Sequence, residues 1–293
     1  MFTQKLRPDV VLSIFIELLV RQRTLAIYGL AMFGLSLVAI GLQVVDARVL
    51  ESGVNVWVKP AKFLSSVAIF AFTAAWFFGY VRPERRRSRL MRATVAILLF
   101  SSAFELLWIS WQGGHGLESH FNRDTPFFEF MYRLMGLSVA VLVATTVPLA
   151  WEIGRRPAAG LRADFVAAVV IGLVLTFLLG GLLGGYMSVQ AGHSVGLEGG
   201  RTYVFGWNRS GGDLRIAHFF GIHAQQAIPI LSVLIGASTL RPHVRWVPLI
   251  GGAMIYGALT LALFAQALAG QPLFPLYNCS KILGLPTKGT TVN

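Results

Sequence analysis

Long apolar runs alternate along the chain with short polar breaks rich in arginine or glycine. Seven runs approach the roughly 20 residues that an α-helix needs to cross a hydrocarbon core. They cover residues 24–45, 60–81, 93–111, 127–151, 165–187, 214–238 and 246–270. Only helices and closed barrels satisfy their backbone in lipid, and runs this continuous lack the alternation of barrel strands. The pattern predicts an all-α, polytopic membrane protein with seven transmembrane helices and a single transmembrane domain. Residues 1–23 form its cytoplasmic segment, 24–270 the bundle and 271–293 a periplasmic tail punctuated by prolines. Within the first segment, residues 10–20 read as an interfacial helix. Their apolar part is short for a signal peptide, and no small-residue cleavage site follows.

Composition agrees: 55% of the 293 residues are hydrophobic and 13% charged, against about a quarter charged in soluble domains. A net charge of +12 would suit nucleic acid, but its distribution does not. Lys5, Arg7, Arg21 and Arg23 precede the first span, and six arginines crowd the stretch from Arg82 to Arg92. Positive loops stay in the cytoplasm, so the N-terminus lies inside and the C-terminus outside a bacterial inner membrane. Alternation then places Arg155, Arg156, Arg162, Arg241 and Arg245 inside as well. The partners implied are the bilayer and its anionic lipids at the cytoplasmic face, not nucleic acid. A single cysteine, Cys279, excludes an internal disulfide framework and a multi-cysteine metal site. No nucleophile–base arrangement or nucleotide fingerprint is present.

With this topology the polar residues gather on one side. The second span opens with WVKPAKF and the third closes with FELLWISWQ. The next loop reads GGHGLESHFNRDTP, and the sixth span opens with DLRIAHFFGIHAQQ. All four fall in the outer leaflet or on the periplasmic surface. At 1.5 Å per residue, Glu105 lies about 9 Å inside the end of its span, and His218 and His223 about 6 and 14 Å below the start of theirs. Relative to Arg215, His218 projects at about −60°, Gln226 at about +20° and His223 at about +80°, which makes one polar sector. Glu105, Trp108 and Gln112 share a face by their spacing. Two polar faces at similar depth are expected to meet.

Several features in these segments are architectural. Asp213 and Thr125 read as N-caps, Pro126 as a first helical residue, Pro229 as a kink and Gly180–Gly185 as close-packing positions. Ionisable groups inside a span point to function. Glu105 and His223 are therefore the candidate acid–base pair. Lys59, Lys62, Gln112, Asn122, Arg215 and Gln226 are candidate ligand contacts. Imidazoles and a carboxylate also suit a metal ion or haem, with His120, His218, His223 and Glu105 as donors.

The runs WVKPAKF, ESHFNRDTPF and DLRIAHFFGIHAQQ resemble, in the same order, motifs of an uncharacterised family of bacterial multi-pass membrane proteins. The resemblance spans the second to the sixth span. It implies a shared fold and a site centred on Lys59, Lys62, His120, Asn122, Arg215, His218, His223 and Gln226, and implies no activity or cofactor. Three functions stay open. One is a periplasm-facing intramembrane pocket that binds a metal, haem or small ligand, as in a membrane oxidoreductase. The second is a transporter or proton-coupled sensor for a small anionic solute. The third is a structural or partner-binding subunit.

Overall fold

The computed structural model describes residues 8–275 except 52 and 204, with side chains from residue 12 onward. The basic residues Lys5 and Arg7, most of the tail and Cys279 lie outside the described residues. Among the described residues, seven helical stretches are long and apolar enough to cross a membrane: Leu12–Val45, Val58–Phe78, Arg89–Gly114, Pro126–Arg155, Ala163–Ser188, Leu214–Ala237 and Pro242–Leu268. The chain is built as a polytopic helical membrane protein.

The helices are α1 (Pro8–Val45), α2 (Val58–Phe78), α3 (Arg89–Gly114), α4 (Pro126–Ala144), α5 (Thr146–Arg155), α6 (Ala163–Leu175), α7 (Gly181–Ser188), α8 (Leu214–Ala237) and α9 (Trp246–Leu268). Three of the seven spans are interrupted, each for a local reason. In α1, Gln22 leaves helical geometry at φ −154° and ψ 92°. Its side-chain oxygen accepts from the Thr24 N–H at 2.9 Å and so restarts the helix. Arg21, just before the break, is tied to Glu17 at 2.7 Å and to the Trp76 carbonyl at 3.0 Å.

The fourth span divides into α4 and α5 around Thr145. Pro148 has no N–H to offer the Ala144 carbonyl, and the Thr145 and Thr146 hydroxyls bond back to Leu142 and Val143 at 2.6 and 2.9 Å. The fifth span carries a π-turn, Thr176–Gly180, between α6 and α7. There Thr176 Oγ1 accepts the Gln225 N–H of α8 at 3.0 Å. A Cβ on Gly221 would sit 2.9 Å from the Gly180 nitrogen, so only glycine permits this backbone approach.

The bundle has two unlike ends. At one, the arginine-rich end, short turns join α2 to α3, α5 to α6 and α8 to α9. Arg85 reaches Glu152 at 2.6 Å, and Arg162 holds both Asp164 at 2.8 Å and the Ser232 carbonyl at 3.0 Å. The largest apolar cluster, including Leu25, Phe78, Met91, Leu98, Ile153 and Leu173, joins these helices. At the other, the long-loop end, α2 and α8 begin and α3 ends. A short antiparallel pairing of β1 (Ser194–Val195) with β2 (Gly212–Asp213) closes the loop before α8.

Candidate functional site

The long-loop end gathers the polar residues in three local groups. The first surrounds the start of α2, which begins with neither an acidic residue nor a side-chain cap. Two lysines one turn apart thus sit at the positive end of a helix, an arrangement that calls for counter-charge. Lys59 lies within electrostatic reach of Glu118, Glu105 and Arg215. Glu105 projects from α3, is only 2% exposed, and neither carboxyl oxygen has a hydrogen-bond partner. Lys59 is the cation that acts on it, although the two do not hydrogen-bond.

The loop after α3 covers this pair. His120 packs between Phe63 and Tyr132, with ring centroids 5.6 and 6.2 Å away, and its Nδ1 is 3.3 Å from Ser119 Oγ. Burial, reinforced by the Lys59 charge, holds the His120 pKa well below the ordinary imidazole range, so the ring is neutral. Buried Gln112 donates to the Glu118 carbonyl at 3.4 Å and anchors the loop. Asn122 accepts the Asp124 N–H at 3.3 Å, a turn contact. His115 stacks on Trp111 at the exposed edge, 4.3 Å between centroids.

The second group is the entrance to α8. Asp213 caps the helix by accepting the Arg215 N–H at 3.0 Å. The same carboxylate takes the Asn208 N–H at 2.8 Å and two bonds from the Arg215 guanidinium, at 2.9 and 2.6 Å. Burial pushes the Asp213 pKa upward. The Arg215 hydrogen bonds and charge, with the Asn208 N–H, outweigh it and hold the group below the usual carboxylate range. Arg215 also donates to the Gly206 carbonyl at 2.7 Å, and Lys62 to the Phe205 carbonyl at 3.0 Å. Beside them, burial and then the Arg215 charge depress His193 to about 4. A shallow pocket opens here, lined by His193, Glu198, Arg201, Asn208, Arg215 and loop glycines.

The third group runs down α8. The His218 ring lies against Gly184 of α7, where a Cβ would come within 2.8 Å of its Cε1. The Gly180 carbonyl, at the π-turn, hydrogen-bonds the ring, and Nδ1 has no partner. His223 packs on Phe219 with ring centroids 4.3 Å apart and planes tilted by 54°, and lies beside the Gln226 side chain. Gln226 Nε2 donates across to Thr73 Oγ1 of α2 at 3.0 Å, while its Oε1 is unpartnered.

Glu105 and His223 are not hydrogen-bonded to each other: Glu105 belongs with Lys59 and His120, His223 with Phe219 and Gln226. Arg215 links the groups at the entrance, since its charge reaches both Lys59 and Lys62. Thr73 was not read from the sequence as a site residue, though its separation of 14 residues from Lys59 puts both near one helix face. His193 was passed over too, because a histidine in a glycine-rich loop carries no spacing signal. Among the described residues, no group of three or more His, Cys, Asp or Glu side chains comes together. Toward the arginine-rich end, a narrow cavity is lined by Phe70, Phe78, Leu98, Thr146, Leu173 and Gln225 with their neighbours. Its threonine hydroxyls return to carbonyls of their own helices, so it offers no chain of free polar groups. No protein-family model, no curated protein and no solved structure matches this chain.

Proposed function

We propose that the protein binds a small organic ligand in a polar chamber among α2, α3 and α8 at the long-loop end. One observation carries this reading. Among the described residues, the only buried side-chain polar atoms without a hydrogen-bond partner are both oxygens of Glu105, His218 Nδ1 and Gln226 Oε1. Buried polar groups are ordinarily paired, and each orphan costs about 1–3 kcal/mol. Among the described residues the other buried acids are all paired: Glu152 with Arg85, Asp164 with Arg162 and Asp213 with Arg215. Those three are helix locks. A lock satisfies its own groups, whereas orphaned groups are completed by something else.

The positive-inside distribution favours a chamber that opens to the periplasm of a bacterial inner membrane. With no three-donor cluster among the described residues, a metal held by protein ligands alone is less well supported than an organic ligand. Transport is less well supported as well, because the cavity beyond Gln225 is apolar. Native mass spectrometry of protein purified from its own membrane tests the reading. The expected result is one bound small molecule per chain, lost in Glu105→Gln and in His218→Ala. A native chain that carries none, at a mass equal to the bare polypeptide, refutes it.

A further inference from the structure

The chamber has a side as well as a top, and its side faces the bilayer. Two hydrogen bonds join α2 to the sixth-span region: Lys62 to the Phe205 carbonyl near the surface, and Thr73 to Gln226 deeper in. Their α2 residues are 11 positions apart, or about 16 Å along the axis. Between them Ser66 and Ile69 are exposed, Ile69 at 47%. At 100° per residue Lys62, Ser66, Ile69 and Thr73 fall within about 60° of one another. Facing them on α8, Phe219, His223 and Gln226 also share a sector of about 60°, and all three are half-buried. The α2 face is thus tied to the sixth-span region at top and bottom and exposed in between.

What enters such a slot is fixed by depth and by hydrogen-bond sense. Gln226 lies about 18 Å below the start of α8, beyond the midpoint of a hydrocarbon core about 30 Å thick. A charged phospholipid head cannot be drawn that far into hydrocarbon, while an uncharged ring can. On α8 the orphaned groups accept rather than donate. Gln226 presents its carbonyl oxygen because its amide is committed to Thr73. His218 presents Nδ1 because its ring already bonds the Gly180 carbonyl. The ligand must therefore bring hydroxyl hydrogens, and the Phe219 and His223 rings, inclined at 54° to each other, supply an aromatic wall.

We propose that the slot between α2 and α8 is a lateral portal for a lipid-soluble quinol, an uncharged dihydroxy ring on an apolar tail that donates its hydroxyls to Gln226 and the neighbouring acceptors. The proposal rests on the ligand-binding reading above and narrows it to one class and one route. The test is binding of decylubiquinol to the full chain in phosphatidylcholine nanodiscs without oxygen, followed by quenching of tryptophan fluorescence. Saturable binding is expected. Gln226→Leu should weaken it about tenfold, the worth of one hydrogen bond, and Ser66→Trp should weaken it at least as much by filling the slot. On the native protein, which needs no variant to fold, the oxidised quinone lacks hydroxyl donors and should bind about tenfold more weakly. Absence of saturable binding, or equal affinity for quinol and quinone, overturns the proposal. If the purified chain carries a water-soluble molecule while decylubiquinol fails to bind, the portal is wrong and the chamber stands.

Discussion

Glu105 sets the residue-scale problem most sharply. Its carboxyl group is sealed from solvent and bonded to nothing, while Lys59 acts on it without contact. Such a group opposes folding, because desolvation is not repaid by hydrogen bonds. Glu105→Leu keeps most of the volume and removes the unpaired oxygens, so it should stabilise the empty protein by about 1–3 kcal/mol. Thermal unfolding in nanodiscs measures this, and a marked loss of stability would mean that the carboxyl has a structural partner. Position and depth of Glu105 were legible in the sequence, because an acid inside an apolar run stands out. Its isolation was not, since spacing along one helix does not say what the neighbouring helices present. Two caps were legible, though Ser88, which accepts the Met91 N–H at the start of α3, was not read as one. Asp213 and Thr125 bond the N–H groups of Arg215 and Phe128, and capping depends only on residues in immediate sequence proximity.

At the scale of elements, hydrophobic runs marked all seven spans but not the breaks inside them. Leucine, valine and phenylalanine read the same in a straight helix and in a π-turn, so Thr176–Gly180 left no trace in the apolar pattern. The turn matters because it aims Thr176 Oγ1 at the Gln225 N–H and brings the Gly180 carbonyl to His218. Thr176→Val keeps the shape and deletes the acceptor, leaving a buried amide to find another. It should cost about 1–2 kcal/mol and speed hydrogen exchange at the Gln225 amide, whereas Thr176→Ser should do neither. Equal behaviour of the valine and serine variants would show that the hydroxyl does not hold α6 to α8.

Over the whole molecule, each end of the bundle handles charge in its own way. Both ends close buried acid–arginine pairs, Arg85–Glu152 and Arg162–Asp164 at one and Arg215–Asp213 at the other, but only the long-loop end also leaves acceptors open. Sequence alone separated the two ends, because alternating spans and loop composition suffice for that. It did not divide the polar residues into three groups, since that division depends on which helices touch. The loop closing the long-loop end ties several spans at once. The His193 carbonyl accepts the Leu214 N–H at 2.9 Å, Lys62 bonds the Phe205 carbonyl, and Arg209 reaches the Phe274 and Pro275 carbonyls at 3.2 Å. Titration of this loop should therefore register in the stability of the whole chain. Folding depresses His193 to about 4, through burial and the charges of Arg215 and Arg201 against those of Asp213 and Glu198. An unfolded histidine titrates near 6.5. The unfolded chain thus binds a proton that the folded chain refuses. The contribution is complete above about pH 6.5 and is lost progressively as pH falls toward 4. Asp213, also depressed, adds a loss that sets in only at lower pH, through the carboxylate range. Unfolding temperature should then fall between pH 6.5 and 4, and His193→Gln should flatten that segment while leaving the steeper decline below it. An unchanged slope in His193→Gln would place the acid sensitivity elsewhere and detach the loop from the stability of the bundle.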